Sequence, residues 1–265
     1  MICFTCDIHH LSLNMPYMPY SDKTELEVAA LFLQLLEKYD VKATMFMTGK
    51  CFTQEWSDAE KICNHPLVEI GGHTYYCFEP FFGHRIVKKL LGPYWFQYHD
   101  VSRTVGCIRK KTGKKITAWR NHMLIHGPHT EKVLSKLDFK FCSDEMNPTA
   151  LGPEWHDDGI YNFPINIISD YDHIYHAHRT EKYVQSNPWT DAFSSESYHI
   201  EQWVDIVIDQ LEKKTQEKCT INILIHPITM YICDRFAGVE RILKFVSSQE
   251  NCLFKELPLM KSDKN

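Results

Sequence analysis

Chemically capable side chains in this sequence stand where buried strands are expected to end. The candidates are Asp7, His9, His73, Cys77, Arg120, Asp144 and His226. In parallel α/β folds the carboxyl ends of the strands form the working face. A carboxylate can take a proton, an imidazole can give one, and His and Cys can hold a metal ion. The set therefore predicts proton-transfer or metal chemistry at one rim of the fold.

The first and third strands carry the candidates with metal-ligand character. Asp7 and His9 are two residues apart, so in an extended strand they point to the same side. One of them could bind a metal while the other handles a proton. If the chain coils into a helical turn after His73, Cys77 lies on the same face at i+4 and both could grip one zinc ion. The alternative is a loop-capping His73 with a buried Cys77.

Later strand ends carry an arginine, an aspartate and a histidine. Arg120 has a rigid guanidinium fork that suits holding a carboxylate in one orientation, although a surface ion pair is the alternative. His226 ends a very apolar strand, where an unpaired imidazole would cost desolvation energy. Asp144 is the expected partner of His226; a hydrogen-bonded core histidine is the alternative.

Hydrophobic patterning predicts strands and helices in alternation. Strands are expected over residues 2–7, 41–49, 67–72, 115–120, 139–144, 162–170 and 219–227. Helices are expected over residues 24–40, 57–65, 84–111, 129–138, 200–216 and 236–249. Residues 145–198, apart from the strand, are expected to be irregular. This alternation predicts parallel strands covered by helices, as a barrel or a doubly wound sheet.

Composition limits the partners and the compartment. The 265 residues are 44% hydrophobic and show no Gly/Ser-rich linker, which favours a single domain over residues 1–265. A net charge of −5 argues against nucleic acid as the main partner. No signal peptide or membrane-spanning run is visible, and the ten cysteines lie mostly in apolar stretches. A cytoplasmic location is therefore expected.

The order of the motifs resembles one known family. The stretches "TCDIH", "HTYYC", "WRNH", "CSD" and "LIHP" are similar, in order and spacing, to the five motifs of the polysaccharide deacetylases (NodB homology, carbohydrate esterase family 4). "ATMFMTGK" looks like the second-strand segment of that family. The resemblance implies a distorted (β/α)7 barrel. It also implies removal of acetyl groups from sugars, usually with a bound divalent metal.

The resemblance also implies roles for individual residues. Asp7 would be the general base, Arg120 its tether, His226 the general acid and Asp144 the residue that tunes His226. His73 would be the first histidine ligand of the metal.

Two positions depart from the family pattern. His9 stands near where the family has a metal carboxylate, and Cys77 replaces the second histidine. A site of His9, His73 and Cys77 is chemically sound for zinc and softer than a carboxylate-containing set. The alternative is a metal site that has decayed or been repurposed.

The leading hypothesis is a metal-dependent hydrolase of an N-acetylated sugar. The expected substrate is a sugar nucleotide or a lipid-linked glycan precursor of surface-polysaccharide synthesis. Two alternatives stay open: a non-catalytic carbohydrate-binding barrel, and a metal-independent hydrolase of a cyclic amide C–N bond. His173, His176 and His178 are expected on a substrate-facing or solvent-exposed loop, with a second metal site there as the alternative.

Overall fold

The computed structural model describes residues 1–77, 92–156 and 158–258. Its strands are β1 (Ile2–Ile8), β2 (Ala43–Met47), β3 (Val68–Gly72), β4 (Ala118–Trp119), β5 (Phe141–Cys142), β6 (Glu154–His156), β7 (Ile160–Asn162) and β8 (Ile221–Ile225). Its helices are α1 (Glu25–Tyr39), α2 (Gly49–Gln54), α3 (Trp56–Cys63), α4 (Tyr94–Thr112), α5 (Thr130–Lys136), α6 (Glu181–Ser186), α7 (Ile200–Gln216), α8 (Pro227–Asp234) and α9 (Ala237–Ser247).

All these strands belong to one sheet, in the order β6-β7-β5-β4-β3-β2-β1-β8. Every neighbouring pair is parallel except β6 with β7. The sheet also curls back on itself. The Asn166 N–H donates to the Asn222 carbonyl at 3.1 Å, and the Asn222 N–H donates to Asn166 Oδ1 at 2.9 Å. These bonds join the segment after β7 to β8, so the carboxyl ends of the strands surround a common centre.

Helix α1 shows how the sequence fixes a covering element. Thr24 accepts from the Glu27 N–H and the Glu27 side chain accepts from the Thr24 N–H, which satisfies two free donors at the helix start. The buried face packs on the sheet, with the Phe32 ring 6.0 Å from the Phe4 ring of β1. Burial of such a side chain contributes about 1.5–3 kcal/mol. The helix therefore holds β1 and the residues that follow it in place.

Strand β3 needs its two glycines because large rings cross it. A Cβ on Gly71 would lie 2.4 Å from the Phe46 ring, and a Cβ on Gly72 would lie 2.4 Å from the Trp119 ring. Neither distance is possible for a real side chain, so only glycine lets β2 and β4 pack this closely. The close packing fixes the point at which the chain leaves the sheet, directly before His73.

Three expected elements differ in the structure. The strand expected over 162–170 is observed only at Ile160–Asn162, because Pro164 cannot donate to a ladder and the chain after Asn162 turns toward β8. The segment expected to be irregular also contains β6 and α6. Within the described residues the helix expected over 84–111 begins at Tyr94; residues 84–91 lie outside them.

The ten cysteines are free thiols, most of them buried. Cys3 and Cys252 make a close contact, with their sulfur atoms 3.5 Å apart. Among the helices in the described part of the chain, none is both long and apolar enough to cross a membrane.

Candidate active site

Asp7 and Arg120 form a buried ion pair at the centre of the strand ends. Arg120 Nη1 lies 2.9 Å from Asp7 Oδ1, and both side chains are almost fully buried. This is the contact that the family resemblance implied between them. Since each charge is out of water, the other is needed to balance it.

The guanidinium of Arg120 directs all its donors to protein acceptors. Its other bonds run to Thr5 Oγ1, the Ser143 carbonyl, Ser143 Oγ and Asn222 Oδ1. The plane also lies over the Phe46 ring, 4.3 Å from its centroid. Arg120 is therefore rigid, and the orientation of the Asp7 carboxylate is rigid with it.

His9 is held from behind by a buried carboxylate. Glu25 Oε2 accepts from the His9 backbone N–H at 3.0 Å and lies 3.1 Å from His9 Nδ1. Tyr17 donates its hydroxyl to the other oxygen, Glu25 Oε1, at 2.5 Å. A carboxylate only accepts, so Nδ1 carries a ring hydrogen, and a ring with that single hydrogen has its lone pair at Nε2. Glu25 thus aims His9 Nε2 into the site.

His73 is held in the same way, and its Nε2 meets that of His9. His73 Nδ1 donates to the Arg120 carbonyl at 2.8 Å, which leaves the lone pair on Nε2. The Nε2 atoms of His9 and His73 are 3.3 Å apart. Two nitrogen ligands on a tetrahedral zinc ion are separated by about this distance, given Zn–N bonds of about 2.0–2.1 Å. Two lone pairs facing each other at this spacing fit a divalent ion, and the oxygen acceptors behind both rings are typical of metal-bound histidines.

His122 joins this cluster, although no role was predicted for it from the sequence. One potential ligand atom each from His9, Cys77 and His122 lies within 4.8 Å of the others. The His122 ring centroid is 5.6 Å from that of His73. The four residues His9, His73, Cys77 and His122 are called the histidine cluster below.

The expected helical turn after His73 is wrong. Thr74 and Cys77 have positive φ angles of 64° and 63°, and the Cys77 N–H donates to Thr74 Oγ1 at 2.9 Å. A tight turn, not a helix, therefore brings Cys77 back to the site. The structure adds His122 to the predicted ligands His9, His73 and Cys77. His122 is the last residue of the quoted motif "WRNH", so the sequence already contained the signal for it.

Burial controls the protonation of the histidine cluster. It lowers the pKa of His73 and of His122 well below the ordinary range, and the neighbouring His9 adds to both effects. Burial raises the pKa of the Cys77 thiol. Burial opposes ionisation of Glu25, yet the interaction with His9 and the hydrogen bonds from His9 and Tyr17 leave the pKa of Glu25 below its usual value. The two histidines are therefore neutral and the carboxylate behind His9 is charged, as metal binding requires.

His226 is paired with Asp170 rather than Asp144. Asp170 Oδ1 lies 2.7 Å from His226 Nδ1, and Asp170 Oδ2 accepts from the His226 N–H at 2.6 Å. Burial opposes protonation of His226, but the charge of Asp170 and the bond to it outweigh burial and raise the pKa to about 9. The His226 ring stacks on that of His9 at 6.0 Å. The protonated form is therefore held at the edge of the histidine cluster.

The prediction that Asp144 is the partner of His226 is wrong. Asp144 accepts from the backbone and side-chain amides of Asn121, and lies near Cys142 and His126. Asn121, which follows β4, takes up the Asp144 carboxylate, whereas Asp170 comes from the segment that packs beside β8. Asp170 ends the stretch "NFPINIISD", so the strand-end rule itself pointed to it.

The histidines of the long segment before α7 do not form a metal cluster within the described residues. His173 is fully buried, with Nδ1 bound to the Glu196 carbonyl at 2.7 Å and Nε2 bound to Asp191 at 3.0 Å. His176 is also buried and His178 is half-buried. The hydrogen bonds of His173 therefore hold the segment together from inside. The expectation of an exposed or substrate-facing loop is wrong for His173.

These groups together resemble a hydrolytic centre. A fixed carboxylate, two imidazole nitrogens facing each other and a protonated imidazole lie at the carboxyl ends of parallel strands. Such a set can take a proton from water, hold a Lewis-acidic ion and give a proton to a leaving group. A set of this kind on a parallel α/β barrel has the groups that a hydrolase uses.

Comparison with known proteins agrees with that class. The polysaccharide deacetylase family model matches residues 17–142. A protein from Mycobacterium smegmatis assigned as a polysaccharide deacetylase shares the fold with a TM-score of 0.69 at 16% identity, over 95% of this chain and 85% of that one. Puue allantoinase gives a TM-score of 0.62 at 12% identity, over 96% and 86%. Among curated proteins, no significant match is found.

A third structure comes from Bordetella bronchiseptica. It is described as a polysaccharide deacetylase assigned to O-antigen biosynthesis, and it gives a TM-score of 0.50 at 16% identity, over 92% of this chain and 79% of that one. The family model spans 126 of the 265 residues, slightly less than half of the chain, so the comparisons establish a similarity to polysaccharide deacetylases and a shared fold. The deacetylase-type α/β barrel expected from the sequence is confirmed.

Proposed function

We propose that this protein is a metal-dependent deacetylase that hydrolyses the amide bond of an N-acetylated sugar. One observation carries the proposal: the base candidate and the acid candidate both adjoin the His9–His73 nitrogen pair. Asp7 Oδ2 lies 3.8 Å from His73 Nε2, and the His226 ring stacks on that of His9. A metal, a base and an acid are the three components that hydrolysis of an unactivated amide needs.

The histidine cluster would hold the ion, with His9 and His73 as its firmest members. When bound there, a divalent ion would supply Lewis-acid polarisation of the acetyl carbonyl. The nitrogen and sulfur donors and their neutral imidazoles favour zinc over magnesium or manganese. In this ligand set His9 stands in place of the carboxylate of the family pattern. The negative charge of that carboxylate would instead come from Glu25, which is hydrogen-bonded to His9 and does not contact the ion itself.

The protein side chains carry the protons. Asp7, fixed by Arg120, accepts a proton from the attacking water. His226, held as imidazolium by Asp170, donates a proton to the departing sugar amine. Asp7 ends the step protonated and His226 ends it neutral, so proton exchange with solvent resets both groups.

The substrate class proposed is a sugar nucleotide or lipid-linked glycan precursor of surface-polysaccharide synthesis in the cytoplasm. The Bordetella bronchiseptica structure with the same fold, described as assigned to O-antigen biosynthesis, supports this class. The substrate would then be an early intermediate rather than a finished polymer.

Acetate release tests the proposal. The metal-depleted protein is reloaded with Zn²⁺ and incubated with N-acetylated sugar nucleotides. Asp7→Asn should lower kcat by about 10²–10⁴-fold, the usual contribution of a general base. Asp209→Asn, on the exposed face of α7, is the matched control and should keep the parent rate.

The same assay separates the alternatives. Turnover of a cyclic amide that persists in chelator would contradict the metal-dependent mechanism and favour a metal-independent hydrolase. If the zinc-loaded protein binds an N-acetylated sugar without releasing acetate, and Asp7→Asn binds it equally, the barrel is a binding protein and the catalytic proposal fails.

A further inference from the structure

A second cluster of metal-ligand side chains lies at the end of β5, apart from the histidine cluster. His126, Cys142 and Asp144 each offer one ligand atom, and these atoms lie within 4.8 Å of one another. Asp144 Oδ2 is the common point: Cys142 Sγ is 3.3 Å from it and His126 Nδ1 is 3.4 Å from it. The three residues are called the β5 cluster below.

The spacing within the β5 cluster fits a tetrahedral ion. With Zn–S of about 2.3 Å and Zn–N or Zn–O of about 2.0–2.2 Å, two N or O ligand atoms on one tetrahedral zinc ion stand about 3.3–3.6 Å apart, and a sulfur and an oxygen about 3.5–3.7 Å apart. The 3.4 Å from His126 Nδ1 to Asp144 Oδ2 falls in the first range, and the 3.3 Å from Cys142 Sγ to Asp144 Oδ2 is slightly shorter than the second, so a small movement of the thiol would seat the ion. The donors are one thiolate, one imidazole and one carboxylate, a combination that prefers zinc to magnesium or calcium.

The charges and supports of the β5 cluster also fit. A Zn²⁺ ion with one thiolate and one carboxylate makes a neutral unit, which lowers the cost of holding these groups away from water. Asn121 donates two hydrogen bonds to Asp144 and so orients its carboxylate from behind. Burial raises the pKa of the Cys142 thiol, so loading of the ion displaces the thiol proton.

A cavity adjoins the β5 cluster on the His126 side. A cavity of about 320 Å³ is lined by His126, Gly127, Pro128, Glu131 and Asp158. The His126 side chain is 42% exposed, whereas that of Asp144 is 1% exposed. An ion can therefore enter from solvent, and a water molecule from the cavity can take the fourth position.

From this geometry we infer that the β5 cluster is a second zinc site, distinct from the proposed catalytic ion. The ion would tie the loop after β4, which carries His122 as well as His126, to the end of β5. The site would thereby steady one wall of the histidine cluster. Its existence does not depend on the deacetylase activity.

Metal content measures this inference directly. The protein is depleted with chelator, reloaded with Zn²⁺, freed of excess by gel filtration and analysed by elemental mass spectrometry. The parent should hold one zinc ion per chain more than His126→Ala and one more than Cys142→Ser. His129→Ala in the same loop and Cys63→Ser in α3 are matched controls and should keep the parent content. Equal zinc in the parent and His126→Ala overturns the second site.

Cobalt gives a second measurement that does not rely on a buried variant folding. Loading Co²⁺ into Cys77→Ser leaves Cys142 as the thiol of the proposed sites, so a thiolate-to-cobalt charge-transfer band reports Cys142 ligation. The band should be lost on adding His126→Ala, a change at a partly exposed residue. No band in Cys77→Ser overturns the inference. His73→Ala tests the catalytic ion separately, because it should remove the other zinc and keep this band.

Discussion

Asp170 holds His226 with both carboxylate oxygens, one on the backbone N–H and the other 2.7 Å from ring Nδ1. The carboxylate itself is completely buried. This arrangement fixes both the direction of the ring and its charge, because an imidazolium beside a buried carboxylate is strongly favoured. His226 therefore enters the reaction already protonated at neutral pH.

The basic limb of the pH–rate profile should report His226. Its pKa is about 9, and the protonated form is the acid, so kcat should be full below pH 9 and fall as the pH rises through 9. In Asp170→Asn the main favourable charge is gone while burial still disfavours the imidazolium. The limb should then move about one to three pH units lower.

The comparison variant for this profile is Asp144→Asn. Because Asp144 contacts Asn121 rather than His226, its removal should leave the limb near pH 9, whatever it does to the rate. If the basic limb of the profile moves in Asp144→Asn and does not move in Asp170→Asn, Asp144 is the partner of His226 after all, as expected from the sequence.

Glu25→Gln should weaken metal binding. Gln keeps the size of the side chain but loses the charge that polarises His9, so zinc affinity should fall about 10–100-fold, the usual cost of losing such a partner. Competition with a chromophoric chelator measures it. Glu55→Gln, a nearby carboxylate that accepts from the Leu11 N–H, is the control and should keep the parent affinity. Equal affinities in both variants would show that Glu25 only supports the fold.

Much of the site could be predicted because strand ends are visible in the sequence. Asp7, His9, His73, Arg120 and His226 each follow an apolar run, and the parallel sheet brings those ends together. The contact between Asp7 and Arg120 was implied by the family resemblance, since the charge of Arg120 indicated only that it suits a carboxylate.

The partners behind these residues were harder to predict. Glu25 begins α1, and nothing in its local pattern shows that the helix start faces His9. Asp170 and Asp144 both follow predicted strands, so only the path of the chain after β7 decides which one reaches His226. Tertiary contacts of this kind depend on how loops return to the sheet, which hydrophobic periodicity does not encode.

Arg120→Met should destabilise the protein strongly. It leaves the Asp7 carboxylate buried without its charge partner and removes five donated hydrogen bonds, so the free energy of unfolding should fall by about 3–5 kcal/mol. Urea denaturation at pH 7 measures the change. Arg241→Met breaks an exposed pair with Asp205 and should cost less than about 1 kcal/mol. Similar losses in both variants would mean that the buried pair is not specially coupled.

Two glycine substitutions should have opposite effects on stability. Gly72→Ala puts a methyl group 2.4 Å from the Trp119 ring, so β3 and β4 must separate and the free energy of unfolding should fall by about 1–3 kcal/mol. Gly106 lies in α4, and nothing stands within 4 Å of the point that a Cβ would occupy. Because alanine has less conformational freedom than glycine in the unfolded chain, Gly106→Ala should raise the free energy of unfolding by about 0.4–1 kcal/mol. Because His73 directly follows Gly72, Gly72→Ala should also weaken zinc binding, whereas Gly106→Ala should not. A Gly72→Ala protein with parent stability and parent zinc affinity would show that the packing of β3 against Trp119 does not position His73.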